Sequence, residues 1–363
     1  MALLLLVCSV SYAGVWACYR FTYAVTPGDT TWPAVDDMRR QTPVNEIRHH
    51  DPSHVFSESE IGNWKPSLTF RAYDWADRHH LLPQAYLAGL LFQHNATQVW
   101  SNFLLDQIYI NGRWYYFPLA IVFKEPVSVL VAMMLGILVL CRHFPKSRVW
   151  DMACLSWPAM VFFIAAMTSS LNFGIRHIFP TLAIAYIAIG CASALVMKRW
   201  RTIGITAIAI ILVGEAVETA AVFPDYIAYF NYPSGGSRGG IHLLTDSNLD
   251  WGQDAKLLAR WQKEHPNEPL YLCLYGAVDP AYYGVKYKSL PGAVSQAPVD
   301  PTLTSGQLPP GVLGISATIL QGVYLPARLR EAYQPLLQQK PIAVLGGTIY
   351  LFRVGEPPAM PPH

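Results

Sequence analysis

Five apolar stretches constrain this chain more than any other feature, because each has roughly the length needed to cross a membrane. They are residues 2–19, 117–141, 150–170, 178–197 and 202–223. A helix of about 20 mostly apolar residues spans the hydrocarbon core of a bilayer. Charged residues make up only 14% of the chain, against about 25% in a typical soluble domain. The sequence therefore predicts an integral membrane protein.

Lys and Arg in the short loops predict the orientation of these spans. Basic residues are concentrated at 142–148, between the second and third spans, and at 198–201, between the fourth and fifth. Loops of this kind stay in the cytoplasm. The polar stretches 20–116 and 224–363 are then predicted to be extracytoplasmic. In a bacterial host the membrane would be the cytoplasmic, or inner, membrane.

The predicted fold is a multi-span α-helical bundle of about five spans with an extracytoplasmic α/β C-terminal domain. Its parts are a first transmembrane helix (1–19), an extracytoplasmic loop with interfacial helices (20–116), four transmembrane helices (117–223) and the α/β domain (224–363). Within the last part, periodicity predicts helices at 252–265 and 327–339 and strands at 270–275, 312–315 and 342–352. The Pro-, Ser- and Gly-rich segment 289–311 is predicted to be a loop.

The first apolar stretch allows two further interpretations. Ser11, Tyr12 and Ala13 resemble a signal-peptide cleavage site. No basic residue precedes the stretch, however, and it continues to Ala17, which favours an uncleaved anchor. A start without basic residues also fits the C-terminal part of a longer protein.

Lys124 lies near the start of the second apolar stretch. A charged side chain inside a membrane is costly and commonly marks a functional site. The functional hypothesis is a cation that binds a lipid phosphate. The alternatives are snorkelling to the surface, or a pair with Glu125 that closes the start of the helix.

Arg176 and His177 lie in the short hairpin between the third and fourth spans. The guanidinium of an Arg binds phosphate through two parallel hydrogen bonds. The alternative is an ordinary headgroup anchor. Lys124 and Arg176 are predicted on the same side of the membrane, so one anionic group would be able to contact both.

The richest polar run extends from Thr245 to Asp254. Its candidate residues for binding a sugar or an acceptor are Asp246, Asn248, Asp250, Trp251 and Gln253. A hydrated divalent ion is a second ligand that these oxygen atoms would suit. The run starts like a calcium loop but places Trp251 where that loop needs Gly, and Leu257 where it needs Glu.

Helix capping is the competing explanation of this run. Asp246 with Ser247, or else Asp250, would cap the helix predicted to follow. Metal ligation has little other support in the chain. The adjacent histidines at 49–50 and 79–80 point apart on a helix or strand, and the six cysteines show no ligand spacing. No cofactor is predicted beyond the divalent ion considered for this run.

Taken together, these segments resemble the C-terminal half of lipid-carrier-dependent membrane glycosyltransferases of the C-type fold. That group includes protein O-mannosyltransferase-like and aminoarabinose-transferase-like enzymes. The matching segments are 114–126, 172–180, 229–231 and 246–253, and the resemblance extends from about residue 14 to the end. It implies a polyprenyl-phosphate-linked sugar and membrane lipids as partners, used outside the cytoplasm, with the lipid phosphate at Lys124, Arg176 and His177. The net charge of +2 gives no indication of nucleic-acid binding.

Two departures from the family leave the catalytic residue unknown. Such enzymes carry their catalytic acid in the loop after their first span, and that half of the protein has no counterpart here. Asp36 and Asp37 follow the first apolar stretch, but their surroundings do not match that loop. Glu125 stands where Thr is more usual and would partly neutralise Lys124. The alternative to a glycosyltransferase is a non-catalytic membrane-anchored accessory or lipid-carrier-binding protein that lacks the catalytic half.

Overall fold

The computed structural model describes residues 2–23, 35–50, 57–293, 299 and 308–355. Over these residues the protein is mostly helical, with a small sheet region near its C-terminus. The chain divides into two compact units, Met1–Trp100 and Ser101–His363.

The first unit consists of helices around a small apolar core. The helices are α1 (Ala2–Cys18), α2 (Val35–His50), α3 (Glu58–Gly62), α4 (Leu68–Arg78) and α5 (Gln84–Val99). The core is formed by Met38, Tyr73, Leu87 and Leu91. Four of these helices, α2 to α5, lie in the stretch 20–116 that was predicted to contain interfacial helices. α1 is apolar but only 17 residues long.

The second unit begins with the hairpin β1 (Asn102–Leu104) and β2 (Gln107–Tyr109). The helices that follow are α6 (Tyr116–Lys124), α7 (Val127–His143), α8 (Val149–Thr168), α9 (Phe179–Arg199) and α10 (Arg201–Ala221). Three helical segments of the described chain are long and apolar enough to cross a membrane: Lys146–Thr168, Ile175–Arg199 and Arg201–Ala221. They correspond to the predicted spans 150–170, 178–197 and 202–223.

The predicted span 117–141 is not one continuous helix. α6 ends at Lys124, Glu125 adopts an extended conformation (φ −81°, ψ 141°), and α7 begins after Pro126. Proline supplies no backbone N–H and disfavours a helical conformation in the residue before it. The prediction of an unbroken helix here is therefore wrong, and Lys124 is the last residue of α6.

The C-terminal part folds as a five-stranded mixed sheet with flanking helices. Its strands are β3 (Leu270–Cys273), β4 (Lys288–Ser289), β5 (Gly311–Ser316), β6 (Ala343–Leu345) and β7 (Ile349–Val354), in the order β4-β3-β5-β7-β6. β3 runs parallel to β4 and β5, while β7 runs antiparallel to β5 and β6. The helices are α11 (Gly236–Gly239), α12 (Ala255–Glu264), α13 (Ala317–Gln321) and α14 (Ala327–Tyr333).

Two predicted elements of this part are interrupted. The predicted strand 342–352 is a hairpin, because Gly346 and Gly347 adopt positive φ angles and turn the chain. The predicted helix 327–339 continues beyond Tyr333 only as a 3₁₀ turn. Part of the predicted loop 289–311, residues 294–298 and 300–307, lies outside the described residues.

Candidate functional site

Asn248 joins its own segment, 246–253, to two of the other segments compared above, 114–126 and 172–180. Its side-chain Oδ1 accepts a hydrogen bond from the backbone N–H of Ile175 at 2.9 Å, and its Nδ2 donates to the Tyr116 hydroxyl at 2.9 Å. Its backbone carbonyl accepts from Lys124 Nζ at 2.7 Å. The neighbouring Ser247 hydroxyl donates to the carbonyl of Phe173 at 2.9 Å. Segments far apart in sequence are thus held together around one buried side chain.

The Lys124 ammonium is held by backbone carbonyl groups. It donates to the carbonyls of Ile227 (2.9 Å), Tyr229 and Asn248 (2.7 Å), and it lies 4.5 Å from the centre of the Phe230 ring. An ammonium group has three N–H donors, so these three bonds use all of them. In this arrangement no Lys124 N–H is left for a lipid phosphate, and the residue links α6 to the segment that leads into the sheet.

Glu125 does not neutralise Lys124 as the sequence suggested. Its carboxylate accepts a hydrogen bond from the Tyr186 hydroxyl on α9. The carbonyl of Glu125 accepts from Asn231 Nδ2 at 2.9 Å. Its side chain and backbone therefore connect α6 to two other segments.

Arg176 and His177 are exposed, in contrast to Lys124. They lie on a 3₁₀ turn, Ile175–Ile178, that leads into α9. The Arg176 guanidinium lies 5.3 Å from the centre of the Trp251 ring, within the range of a cation–π attraction. The His177 ring lies 5.5 Å from that of Phe173. The Arg176 guanidinium and the His177 imidazole are therefore both accessible beside the polar run.

Asp246 is a buried carboxylate next to the Arg176 guanidinium. Only 4% of the residue is exposed, and its φ of 55° lies in the left-handed region, where such strain is often associated with function. The Tyr324 hydroxyl donates to Oδ2 at 2.8 Å, while Oδ1 has no well-formed hydrogen bond to any described residue. Burial raises the pKa of the Asp246 carboxyl, opposed by the Tyr324 and Tyr275 hydroxyls and the charge of Arg176.

Three aromatic rings extend from Asp246 towards the surface. Tyr275 and Tyr324 stack with their centroids 5.6 Å apart and their planes 18° apart. The Trp251 ring lies 6.3 Å from Tyr275 and is 40% exposed. Aromatic faces beside a carboxylate and an Arg suit a ligand that has both a ring and an anionic group.

The two tyrosines were not identified from the sequence. Tyr275 follows the carboxyl end of the parallel strand β3, a position at which ligands commonly bind. Its backbone N–H donates to Ser316 Oγ, at the end of β5, at 2.9 Å. The position of Tyr275 at the end of a strand was the one sequence signal that pointed to it. Tyr324 gave no such signal, because it lies 78 residues from its partner Asp246.

The capping explanation of the polar run is wrong. α12 begins at Ala255 and no side chain makes a capping bond to it. Asp250 is fully buried, its Oδ1 accepts from the Gly252 N–H at 3.0 Å, and burial raises its pKa to about 7. Asp254, at the cap position, accepts instead from Thr348 Oγ1 at 2.6 Å, and burial raises its pKa to about 6.

Gln253 braces the turn that presents Trp251. Its Oε1 accepts from the Trp251 backbone N–H at 2.8 Å, and its Nε2 donates to the Leu249 carbonyl at 3.2 Å. Of the predicted binding residues, Arg176, His177 and Trp251 are exposed. Asn248, Asp250 and Gln253 instead shape the loop that positions them.

A divalent ion has no obvious ligand set here. Across the described ranges, no three His, Cys, Asp or Glu side chains are grouped so that they could hold a metal ion.

The chain was also compared with protein-family models, curated proteins and solved structures, and none of the three comparisons found a match.

Proposed function

We propose that the protein is a membrane glycosyltransferase, or the C-terminal part of one, that transfers a sugar from a polyprenyl-phosphate carrier to an acceptor outside the cytoplasm. In this proposal the chain has about five spans, including α1 and the broken α6–α7 segment. The α/β domain lies on the extracytoplasmic side, as the basic loops at 142–148 and 198–201 suggest.

The observation that carries the proposal is the grouping of Arg176, Trp251 and Asp246. An exposed guanidinium, an exposed aromatic ring and a buried carboxylate lie together at the end of an apolar helix. A lipid-linked sugar phosphate needs a cation for its phosphate, a surface for its sugar ring and a base for the acceptor hydroxyl.

The proposed reaction assigns one role to each group. The acceptor oxygen attacks the anomeric carbon, the bond from that carbon to the phosphate oxygen breaks, and the phosphate leaves with the bonding electrons. Arg176 and His177 stabilise the charge that develops on the phosphate. Asp246 takes the proton of the acceptor hydroxyl, since a carboxyl with a raised pKa is a better base. In this proposal Lys124 has a structural role, because its N–H donors bond backbone carbonyls.

Binding of farnesyl phosphate, a short polyprenyl phosphate, tests the phosphate site. The full chain is reconstituted in nanodiscs and titrated with the radiolabelled compound. Arg176→Ala should weaken binding about 10- to 100-fold, the effect of losing a charge-assisted hydrogen bond of roughly 1.5–3 kcal/mol.

Arg199→Ala is the matched control, because Arg199 lies 5.2 Å from the Trp200 ring at the other end of the same helix. Binding that is equally strong in the wild type and Arg176→Ala, with melting temperatures unchanged, would refute the phosphate site.

The non-catalytic alternative is a carrier-binding accessory protein. It is favoured by the hydrogen bonding of Lys124, whose three N–H donors all bond backbone carbonyls and leave none for the carrier phosphate. A panel of farnesyl-phosphate-linked hexoses separates the two. Release of farnesyl phosphate that falls at least tenfold in Asp246→Asn, with binding retained, supports the enzyme. Binding without any release supports the accessory protein.

A further inference from the structure

A second polar recess lies where α10 ends. It has a volume of about 320 Å³, and its lining includes Asp225, Ser237 and Arg238 together with the glycines of the β6–β7 hairpin. Gly346 and Gly347 have φ angles of 56° and 81°. A Cβ atom on Gly347 would lie 2.8 Å from Ser237 Cβ, so a larger residue would narrow the recess.

Hydrogen bonds hold this region at the ends of the membrane helices. The Tyr229 hydroxyl donates to Glu218 on α10, and Asn231 Nδ2 donates to the carbonyls of Val122 and Glu125 at 2.6 and 2.9 Å. These bonds hold residues 229–231 in place. Asp225 comes before these residues in the chain and Arg238 comes after them. The recess therefore lies near the level at which α10 leaves the membrane.

Exposed aromatic residues mark the same level. Phe223 is 71% exposed and Tyr232 is 92% exposed, and they lie on either side of residues 229–231. Aromatic side chains are enriched at the headgroup level of bilayers. This part of the surface is therefore suited to contact lipid headgroups.

The recess carries opposite charges that are not paired with each other. Arg238 is exposed and forms no ion pair within the described part of the chain. Asp225 is half-buried and is close enough to Asp254 for their charges to interact. A ligand that matches both walls carries an anionic group and a cationic hydrogen-bond donor.

We propose that this recess binds the headgroup of phosphatidylethanolamine, a resident lipid separate from the substrate of the proposed function. Its phosphate diester contacts the Arg238 guanidinium, and its primary ammonium donates to Asp225. Phosphatidylglycerol lacks the ammonium group. The quaternary ammonium of phosphatidylcholine has no N–H to donate.

Native mass spectrometry of the full chain tests the preference. The protein is extracted from vesicles containing equal amounts of the three lipids, and the retained lipids are counted. Phosphatidylethanolamine should be retained about fivefold or more over the others, the effect of one charge-assisted hydrogen bond. In Asp225→Asn, phosphatidylethanolamine should no longer be retained more strongly than phosphatidylglycerol. Arg238→Gln should lower the retention of both of these lipids.

Arg201→Gln, at the opposite end of α10, is the matched control and should retain lipids as the wild type does. Equal retention of the three lipids, or unchanged retention in both recess variants with normal melting temperatures, overturns the proposal. Loss of farnesyl phosphate binding in Arg238→Gln also overturns it, because the recess would then take the carrier phosphate. The Arg176 assay is independent of these outcomes.

Discussion

Lys124 and Arg176 both look like phosphate-binding cations in the sequence, yet their surroundings differ in kind. Lys124 lies at the end of α6, where three carbonyl groups use all its N–H donors. Arg176 lies on an exposed turn and rests against Trp251 with its guanidinium accessible. A charge at a membrane surface is therefore no guide to ligand binding until its own hydrogen bonds are counted. Lys124 should matter for folding and Arg176 for binding.

The largest effect should come from Lys124→Met. This change leaves the carbonyls of Tyr229 and Asn248 without their donor, and each unsatisfied buried group costs about 1–3 kcal/mol. The carbonyl of Ile227, a residue that is 41% exposed, can bond water instead. We expect a loss of at least about 2 kcal/mol, measured as a large fall in melting temperature in detergent or as failure to express. Lys198→Met, at the far end of α9, is the control and should melt like the wild type. A stable Lys124→Met protein that has lost only farnesyl phosphate binding would reverse the comparison.

The second effect separates binding from stability at Arg176. Arg176→Ala should lose binding as described above, but its melting temperature should change little because exposed side chains contribute within about 0.5 kcal/mol. Arg176→Lys should recover part of the affinity, since it keeps the charge without the planar fork. A large fall in melting temperature for Arg176→Ala would show that this residue, like Lys124, is structural.

The third effect is a pH dependence at Asp250. Burial raises its pKa from 3.8 to about 7, so the folded state resists losing this proton. Stability should therefore fall as pH rises from about 4 through 7; below that window the contribution of this group is fully present and does not change with pH. Asp250→Asn should reduce the fall by about 1 kcal/mol or more between pH 5 and 8.

The Asp250→Asn comparison is read from melting temperatures across that pH range. Asp254 has a pKa raised to about 6, so part of the slope should persist in the variant. An unchanged slope would show that Asp250 is ionised in the folded protein at neutral pH.

The smallest effect should come from Trp251→Phe. Phe keeps an aromatic face but weakens the cation–π attraction to Arg176, which is worth about 0.5–1 kcal/mol at an exposed site. Farnesyl phosphate affinity should fall about two- to fivefold, measured by the same radioligand titration. The Trp200→Phe variant, which alters the matching Arg199 pair, should bind normally. An effect as large as that of Arg176→Ala would mean that Trp251 contacts the ligand itself.

Local signals predicted the long apolar helices but not their interruptions. α8, α9 and α10 follow the apolar stretches closely, because length and composition suffice for them. The break between α6 and α7 was visible in Pro126, and the β6–β7 hairpin in Gly346 and Gly347, but the apolar patterns there outweighed these signals. α12 begins later than predicted, after Gly252 with its φ of 77°.

Only part of the candidate site was predictable from the sequence. Arg176, Trp251 and Asp246 stand in conspicuous polar runs within an otherwise apolar chain, and these runs do converge in the structure. The three N–H donors of Lys124 bond carbonyl groups that are 103 to 124 residues away in the sequence. Every residue has a backbone carbonyl, so the sequence does not indicate which ones will meet Lys124. The pairing of Tyr324 with Asp246 is equally remote and depends on the folded sheet.

The three bonds of Lys124 also impose an order on biogenesis. Its carbonyl partners are synthesised 103 to 124 residues after it, which at about 5–20 residues per second is a delay of roughly 5–25 s. During that interval the ammonium has only water, lipid headgroups or the insertion machinery as partners. The end of α6 therefore reaches its native environment after α10 has been made, and a chain truncated before Asn248 would leave the helices present but that charge incompletely bonded.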